Sequence, residues 1–396
     1  MKKKHILAII ALVIITNIMT YCLVGIGIVP VKNHLVIASD NQEMIQGLQK
    51  IATLEKRIDS DYYQDVNTED LMDGALKGMF EATGDKYTTY YTEEEYKKII
   101  ESSTGEFEGI GVAVSETDDG LTKVIMPYAN TPAGNAGIQT GDIIVKIDDE
   151  DVTTSGIDDV VSKMRGETGT TVKVTVLRNS ELIDYELTRE KIDVPSVTSE
   201  KMGNVGYIKI TSFTTKTGDE FDQEIDKLLD QNITSLVIDL RYNLGGVVDS
   251  SVAVADRLLG KTTVVYEIDK NGERTDYSST DDLKIDLPMV VLVNGATASS
   301  SEILAGALQD LDAADLVGTQ TYGKGVVQEV VSLSDGSGFK MTSAEYFTPN
   351  GRNINDKGLT PDIVIDQAED YQQVLDVPVD QDVQLQKALQ VLEEKS

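Results

Sequence analysis

The sequence predicts an α/β fold with an inserted β-rich domain, helical regions at both ends and one N-terminal apolar helix. Beyond Asp193, apolar runs of strand length alternate with amphipathic segments of helix length, which is typical of α/β proteins. Residues 105–191 consist of short β-branched runs separated by Gly, Asp and Asn, which indicates strands joined by turns. Hydrophobic residues make up 40% of the chain and charged residues 26%, a composition that indicates globular structure.

The first element is an N-terminal apolar helix. Ile6–Val31 holds 26 residues without a charged side chain, and as a helix it spans roughly 39 Å, enough to cross a hydrocarbon core of about 30 Å. The lysines at 2–4 keep the N-terminus cytoplasmic by the positive-inside tendency. We therefore predict that residues 1–34 are a cytoplasmic stub and a single-pass anchor in the cell membrane, with the rest of the chain extracytoplasmic. A cleaved signal peptide is the alternative, but no good small-x-small cleavage site follows.

Charge and residue usage exclude several classes of function. The net charge of −32 repels phosphate backbones, so we expect no nucleic-acid binding. The single cysteine, Cys22, and both histidines, His5 and His34, lie in or beside the apolar segment. We therefore expect no disulfide, no metal site and no cofactor, and we expect no imidazole or thiol in a folded catalytic site.

The remaining chain divides into four predicted parts. Residues 35–104 form a helical region, 105–191 the β-rich domain, 192–366 the α/β core and 367–396 a helical tail. Apolar residues at helical spacing mark the two ends: Met44, Leu48, Ile51 and Leu54, then Val383, Leu385, Ala388, Leu389 and Leu392. The core strands are predicted at Val205–Thr211, Ser235–Leu240, Met289–Asn294, Val326–Leu333 and Phe339–Phe347. The core helices are predicted at Phe221–Leu229, Val247–Leu259 and Ser300–Leu311.

Ser299 is the candidate nucleophile. It lies in the stretch Asn294–Glu302, which follows an apolar strand and opens a helix. Backbone N–H groups and the dipole at a helix N-terminus stabilise developing negative charge, so the position suits a nucleophile. A capping box, with Ser299 as N-cap and Glu302 reaching back, explains the same residues without catalysis.

Lys324 is the candidate general base, because a serine nucleophile needs a group that takes its proton. Burial can lower a lysine pKa from about 10.4 toward neutrality. Lys324 lies between two glycines beside an apolar strand, with no acid in its immediate sequence. Gln328 shares its face at strand period two, so its amide oxygen is available to orient the amine. The alternative is a solvated lysine in a turn.

Gly245 and Gly246 are candidate oxyanion-hole residues. They follow a buried strand and precede a helix, so a backbone N–H of this pair can act together with the amide after Ser299, that of Ser300. A tight strand-to-helix turn that requires positive φ is the alternative reading of two adjacent glycines.

A peptide-binding segment is predicted at the start of the β-rich domain. It consists of Gly109, Ile110, Gly111 and Val112. Their amides can form a nest for a peptide carboxylate, and the adjacent strand can add the peptide by β-augmentation. Together with Thr131-Pro132-Ala133 and the glycine-rich pattern at 136–144, this segment resembles a PDZ domain, which implies a groove for an apolar C-terminal residue.

The order and spacing of these motifs resemble the C-terminal processing peptidases, or tail-specific proteases, from about Tyr62 to Ile365. The shared motifs are Gly-Asp-Lys-Tyr at 84–87, the PDZ segment, Asp-Leu-Arg-x-Asn-x-Gly-Gly at 239–246, the serine motif, Gly-Lys-Gly at 323–325 and Tyr-Phe-Thr-Pro-Asn-Gly-Arg at 346–352. The resemblance implies a crotonase-like core and a PDZ-gated serine endopeptidase that cleaves extracytoplasmic proteins near their C-termini.

The resemblance also implies roles for single residues. The family's nucleophile falls on Ser299, its base on Lys324, its lysine-orienting residue on Gln328, and its oxyanion donors on a glycine of the 245–246 pair and the amide of Ser300. Ala296, Thr297 and Ser300 depart from the usual Gly-Ser-Ala-Ser-Ala-Ser-Glu, so Ser300 and Ser301 are second choices as nucleophile.

The expected partners are protein or peptide substrates with free, apolar C-termini, and resemblance to some family members implies a homodimer. Arg165 is our candidate for coupling the PDZ domain to the active site, with a solvated helix-end cation as the alternative. Two other functions fit part of the pattern: a non-catalytic PDZ adaptor with a degenerate protease fold, and a crotonase-type acyl-CoA enzyme that shares only the fold class.

Overall fold

The structure, a computed structural model, describes residues 28–31, 34–37, 42–117, 119–280, 284–371 and 377–395. Residues 1–84 and 85–396 form two compact units. Most of the predicted anchor, residues 6–27, lies outside the described residues. Within the described residues, no helix has both the length and the apolar character that a membrane crossing requires.

The first unit contains a short hairpin and two helices: β1 (Ile28–Val31), β2 (His34–Ile37), α1 (Gln42–Asp61) and α2 (Thr68–Glu81). The prediction that the apolar helix continues to Val31 is wrong for its last four residues, which form β1. Pro30 lacks the amide that a helix interior needs, and its β-branched neighbours favour a strand. The predicted helix through Met44 and Leu54 is confirmed as α1.

The second unit begins with three elements that lead into the PDZ region. They are β3 (Thr89–Tyr91), α3 (Glu93–Thr104) and β4 (Glu106–Gly109). Thr92 and Glu95 form a capping box at the start of α3, and Gly105, at φ 72°, ends the helix.

The PDZ region is a twisted antiparallel sheet with its own apolar core. Its elements are β5 (Val112–Glu116), β6 (Thr122–Pro127), α4 (Pro132–Ala136), β7 (Ile143–Ile147), β8 (Glu150–Asp151), α5 (Ile157–Met164), β9 (Thr171–Arg178) and β10 (Glu181–Thr188). The strand order is β10-β9-β7-β6-β5. Then β11 (Glu190–Asp193) pairs with β4.

The core of the second unit is an open, mostly parallel sheet of order β12-β13-β14-β17-β18-β21, in which only the first pair is antiparallel. The strands are β12 (Val197–Met202), β13 (Val205–Ile210), β14 (Ser235–Asp239), β17 (Met289–Val293), β18 (Ala314–Gly318) and β21 (Ile363–Val364). The helices are α6 (Thr217–Asp230), α7 (Val248–Leu258), α8 (Ser300–Asp310) and α9 (Val383–Lys395).

Both faces of this sheet are covered, which explains its continuous apolar runs. Ile238 and Val291 pack with α6, α7 and α8 in one cluster. Val237 and Val290, which point to the opposite face, pack against α9 in another. The amphipathic tail helix predicted from Leu385 and its neighbours is therefore confirmed, and its apolar face covers the sheet.

A second, antiparallel sheet completes the unit: β15 (Thr263–Asp269), β16 (Arg274–Ser278), β19 (Val326–Ser332) and β20 (Gly338–Phe347), with β3 paired to β20. The parallel strands β14, β17 and β18 end at one edge of the first sheet. The chain segments that follow them carry the glycine pair, Ser299 and Lys324, so the topology brings the three predicted motifs together. The finer prediction of a crotonase-like arrangement stays a prediction.

Candidate active site

The predicted catalytic residues line one cleft of about 750 Å³ in the second unit. Ser299, Lys324, Gln328, Gly245 and Gly246 all contribute to its wall. Residues from α3, α7, α8, β16, β19 and β20 complete the lining. The fold thus brings together groups that are separated by up to 83 positions in the sequence.

Ser299 precedes α8 in a strained backbone conformation. Its φ of 57° and ψ of −122° lie in a region that L-residues rarely adopt, and such strain typically costs about 1–3 kcal/mol. Glu302 Oε2 accepts a hydrogen bond from the Ser299 amide at 3.0 Å, as the capping-box interpretation predicts. Capping and a catalytic position are therefore compatible in this turn, and the side chain of Ser299 is partly exposed to the cleft.

The other two serines are buried and committed to the backbone. Ser300 Oγ donates to the Gly246 carbonyl at 2.9 Å, and Ser301 Oγ donates to the Asn243 carbonyl at 3.0 Å. Both side chains are completely buried. Of the three adjacent serines, Ser299 is the one that lines the cleft, while its neighbours fasten the glycine turn to the helix.

Glu302 joins the nucleophile segment to the lysine segment. Its side chain is fully buried, and its Oε2 also accepts from the Lys324 amide at 2.9 Å. Its Oε1 accepts from the Gly323 amide at 2.8 Å and from the Thr321 hydroxyl at 2.5 Å. Sequence reasoning recognised Glu302 only as a capping residue and missed Thr321, because no local pattern links positions about 20 residues apart.

Lys324 is half-buried, and its amine is held by Gln328. The Lys324 Nζ donates to Gln328 Oε1 at 2.6 Å and lies 4.8 Å from the centroid of the Tyr87 ring. The pKa of Lys324 is lowered to about 8, mainly by burial and also by the charge of Lys340, whereas Asp85 and Glu302 oppose the change. The sequence showed no adjacent acid, but the fold brings these two carboxylates near the amine.

Gln328 is itself oriented by the loop that begins the second unit. Its Nε2 donates to the Tyr87 carbonyl at 2.6 Å, which leaves Oε1 directed at the lysine. Asp85 holds this loop by accepting from the Tyr87 amide at 3.0 Å and from the Thr342 hydroxyl at 2.5 Å. Residues 85–87, noticed in the sequence only as part of a resemblance, thus support the lysine.

The glycine turn lies directly against the nucleophile. Gly245 has φ 94°, and a Cβ at this position would lie 2.7 Å from the Ala298 carbonyl oxygen and 2.8 Å from Ser299 Cβ. The Gly245 amide donates to Asn243 Oδ1 at 2.9 Å. Among the hydrogen bonds of the described residues, none uses the amides of Gly246 or Ser300; Gly246 lines the cleft, whereas Ser300 is completely buried beside it.

The predicted carboxylate-binding segment lines a separate pocket in the PDZ region. Gly109, Ile110, Gly111 and Val112 enclose a cavity of about 200 Å³ together with Phe107, Tyr128, Val161, Met164 and Arg165. Gly111 has φ 80°, and a Cβ there would lie 2.4 Å from Thr131 Cβ. The pocket is lined mainly by apolar side chains and backbone, which suits a peptide end with an apolar side chain.

Arg165 lies between this pocket and the helix that lines the catalytic cleft. Its guanidinium donates to Glu101 Oε2 of α3 at 2.6 Å, and its Cζ lies 5.1 Å from the centroid of the Phe107 ring. Arg165 is thus a cation at the end of α5, as the alternative interpretation has it, but it is only partly exposed and is paired with a carboxylate. On the same helix, Ile99 and Ser103 line the cleft that contains Ser299.

Comparison with known proteins agrees with this architecture. Residues 204–365 match the model of peptidase family S41, residues 125–178 match a PDZ domain, and residues 29–95 match the activating protease CtpB N-terminal domain. A "Probable CtpA-like serine protease" of Staphylococcus haemolyticus is 35% identical over 338 residues, which are 85% of this chain and 68% of the relative.

A second relative of the same description, from Staphylococcus aureus strain MRSA252, is 38% identical over 335 residues. The match covers 84% of this chain and 67% of the length of that relative. The solved structure of a photosystem II D1 C-terminal processing protease is similar with a TM-score of 0.51 and 28% identity, covering 86% of this chain and 96% of that one. Fold and comparisons together define a serine peptidase that carries a PDZ domain. The chain belongs to peptidase family S41.

Proposed function

We propose that this chain is a PDZ-gated serine endopeptidase that cleaves extracytoplasmic proteins near their C-termini, with Ser299 as nucleophile and Lys324 as general base. The observation that carries the proposal is the cleft in which a partly exposed serine at a helix N-terminus shares the wall with a half-buried lysine amine held by an amide oxygen. The relative that processes the C-terminus of the D1 protein supports the substrate class.

In the proposed reaction, the neutral Lys324 amine takes the proton of the Ser299 hydroxyl while Oγ bonds to the scissile carbonyl carbon. The carbonyl oxygen becomes an oxyanion, which the amides of Gly246 and Ser300 stabilise by hydrogen bonds. When the C–N bond breaks, the lysine returns its proton to the leaving amine. Water then hydrolyses the acyl-enzyme by the same proton transfers, which restores the serine hydroxyl and the free lysine.

The gating step is assigned to the pocket at Gly109–Val112. A bound C-terminal carboxylate would lie beside Arg165, which shares this pocket and also pairs with Glu101. Because Glu101 belongs to the helix that lines the catalytic cleft, a change in this ion pair on binding can be transmitted to the cleft.

We further propose an extracytoplasmic catalytic region, anchored by the apolar residues 6–27 with the lysines at 2–4 on the cytoplasmic side. The proposed assembly is a homodimer. Its support is the apolar side of α1, where Met44, Leu48 and Leu54 are 53%, 40% and 54% exposed.

The function is tested with the full chain and a fluorogenic peptide that ends in a free apolar residue. Ser299→Ala and Lys324→Ala should each abolish cleavage and leave the circular dichroism spectrum unchanged. Lys324→Arg should also be inactive, because a guanidinium does not deprotonate at the working pH. Full activity in any of the three variants would refute the assignment, and peptide binding without cleavage by the unmodified chain would favour the PDZ adaptor.

A further inference from the structure

A second lysine, Lys340, lies in the same cleft as Lys324. It is half-buried on β20, where it pairs in register with Val330, and Thr342 pairs with Gln328. Residues two apart on a strand share a face, so Lys340 lies diagonally across from Gln328. Gln328 holds the Lys324 amine at 2.6 Å, so this amine is bound to the strand pair that also carries Lys340, and both lysines line the cleft.

Lys340 has no acidic partner among the residues that the structure describes. No carboxylate oxygen of these residues lies within 4.0 Å of its amine. The ring contact is with Tyr91, whose centroid is 5.8 Å from the Lys340 amine. Acidic residues outnumber basic residues in this chain by 67 to 35, so a lysine amine in a cleft without a carboxylate partner is unexpected.

We propose that Lys340 is a positioning residue whose unpaired ammonium opposes protonation of Lys324 and so supplies the free amine that takes the Ser299 proton. The inference rests on the proposed function and deepens it. A neighbouring like charge disfavours the charged form of a lysine, and a second cationic group is one established way to activate an amine.

The other groups near the Lys324 amine either favour its protonated form or are uncharged. Asp85, from the loop before β3, and Glu302, from α8, both favour the protonated amine. Gln328 and the Tyr87 ring are neutral contacts. Lys340 is thus the charged neighbour that acts together with burial toward the neutral base.

The test compares Lys340→Met, which removes the charge and keeps an unbranched side chain, with Lys340→Arg, which keeps the charge. The full chain is assayed on the fluorogenic peptide between pH 6 and pH 10, with circular dichroism as the control for folding. In Lys340→Met, the acid limb of the kcat/KM profile should move to higher pH by about half a unit. Near pH 7 this shift lowers kcat/KM about threefold, and the loss disappears above about pH 9. Lys340→Arg should retain the original limb.

Three results would overturn the inference. The first is an acid limb of Lys340→Met that coincides with the original one, and the second is an equal shift in Lys340→Arg. The third is a rise in the KM of Lys340→Met for peptides with a free carboxylate but not for their amides, without movement of the acid limb. Such a result would mean that Lys340 binds the substrate carboxylate instead. If Ser299→Ala retains full activity, the proposed function itself fails, so the two failures are distinguishable.

Discussion

Replacement of Glu302 by Gln tests whether one buried carboxylate holds the two halves of the active site together. Each oxygen of Glu302 accepts two hydrogen bonds: Oε2 from the amides of Ser299 and Lys324, and Oε1 from the amide of Gly323 and the hydroxyl of Thr321. A glutamine has one acceptor oxygen. If that oxygen keeps the Oε2 position, the Thr321 hydroxyl can rotate to accept, but the Gly323 amide faces an NH₂ group.

One buried donor without an acceptor costs about 1–3 kcal/mol, so the free energy of unfolding of Glu302→Gln should fall by that amount. The lysine segment would also lose part of its attachment to the serine segment. A small misplacement of reacting groups costs up to about 100-fold in rate, and we expect kcat/KM at high pH to fall about 10- to 100-fold. Urea unfolding and the fluorogenic peptide assay measure the two effects, and Glu150→Gln, an exposed carboxylate that pairs with Lys163, is the matched control.

The same substitution has a predicted direction in the pH profile. Because Glu302 favours the protonated form of Lys324, its loss should lower the pKa of that amine further. The acid limb of kcat/KM should therefore move to lower pH, even though the maximal rate falls. A variant with the original unfolding midpoint and the original kcat/KM, or a limb that moves to higher pH, would refute this account of Glu302.

Three further predictions follow from the same geometry. Since the pKa of Lys324 is about 8, only about one tenth of the free enzyme carries the neutral amine at pH 7. We therefore expect kcat/KM to rise about tenfold from pH 6 to pH 7 and to level off above about pH 9, and a flat profile would contradict the role of the lysine. Gly245→Ala should abolish cleavage because its Cβ would lie 2.7 Å from the carbonyl oxygen preceding the nucleophile, whereas Gly169→Ala, with φ 89° but open space around it, should remain active. Asp382→Asn should lower the free energy of unfolding by about 3 kcal/mol in urea titrations, because it weakens a buried ion pair with Arg241 that Asp239 only partly replaces.

The sequence predicts the parallel core well because its strands are buried on both faces. Ser235–Asp239 and Met289–Val293 are continuous apolar or small-residue runs of strand length, and each is observed within one residue of its predicted end. The hairpin formed by Thr263–Asp269 and Arg274–Ser278 was not predicted, because its charged and polar residues leave no clear alternation of apolar and polar positions. The strand Ala314–Gly318 was also missed, since only three residues separate it from the preceding helix.

Within the site, residue types and order could be read from the sequence, but burial and distant partners could not. Three adjacent serines look alike in one dimension, and only the fold shows that Ser300 and Ser301 are buried against the backbone. Arg165 looked like a surface cation because its partner, Glu101, is 64 positions away. Pairings over such distances leave no local pattern, whereas capping and strand periodicity do.

The arrangement around Lys324 contains an electrostatic conflict that the fold resolves. Glu302 accepts four hydrogen bonds through its two oxygens, and its charge favours a protonated base. A neutral residue in its place would ease deprotonation but would lose the attachment between the two catalytic segments. Burial of the amine and the like charge of Lys340 outweigh the carboxylates, so the pKa of Lys324 falls to about 8. The carboxylate of Glu302 thus maintains the geometry of the site although its charge disfavours the neutral base. The ammonium of Lys340 offsets part of that effect.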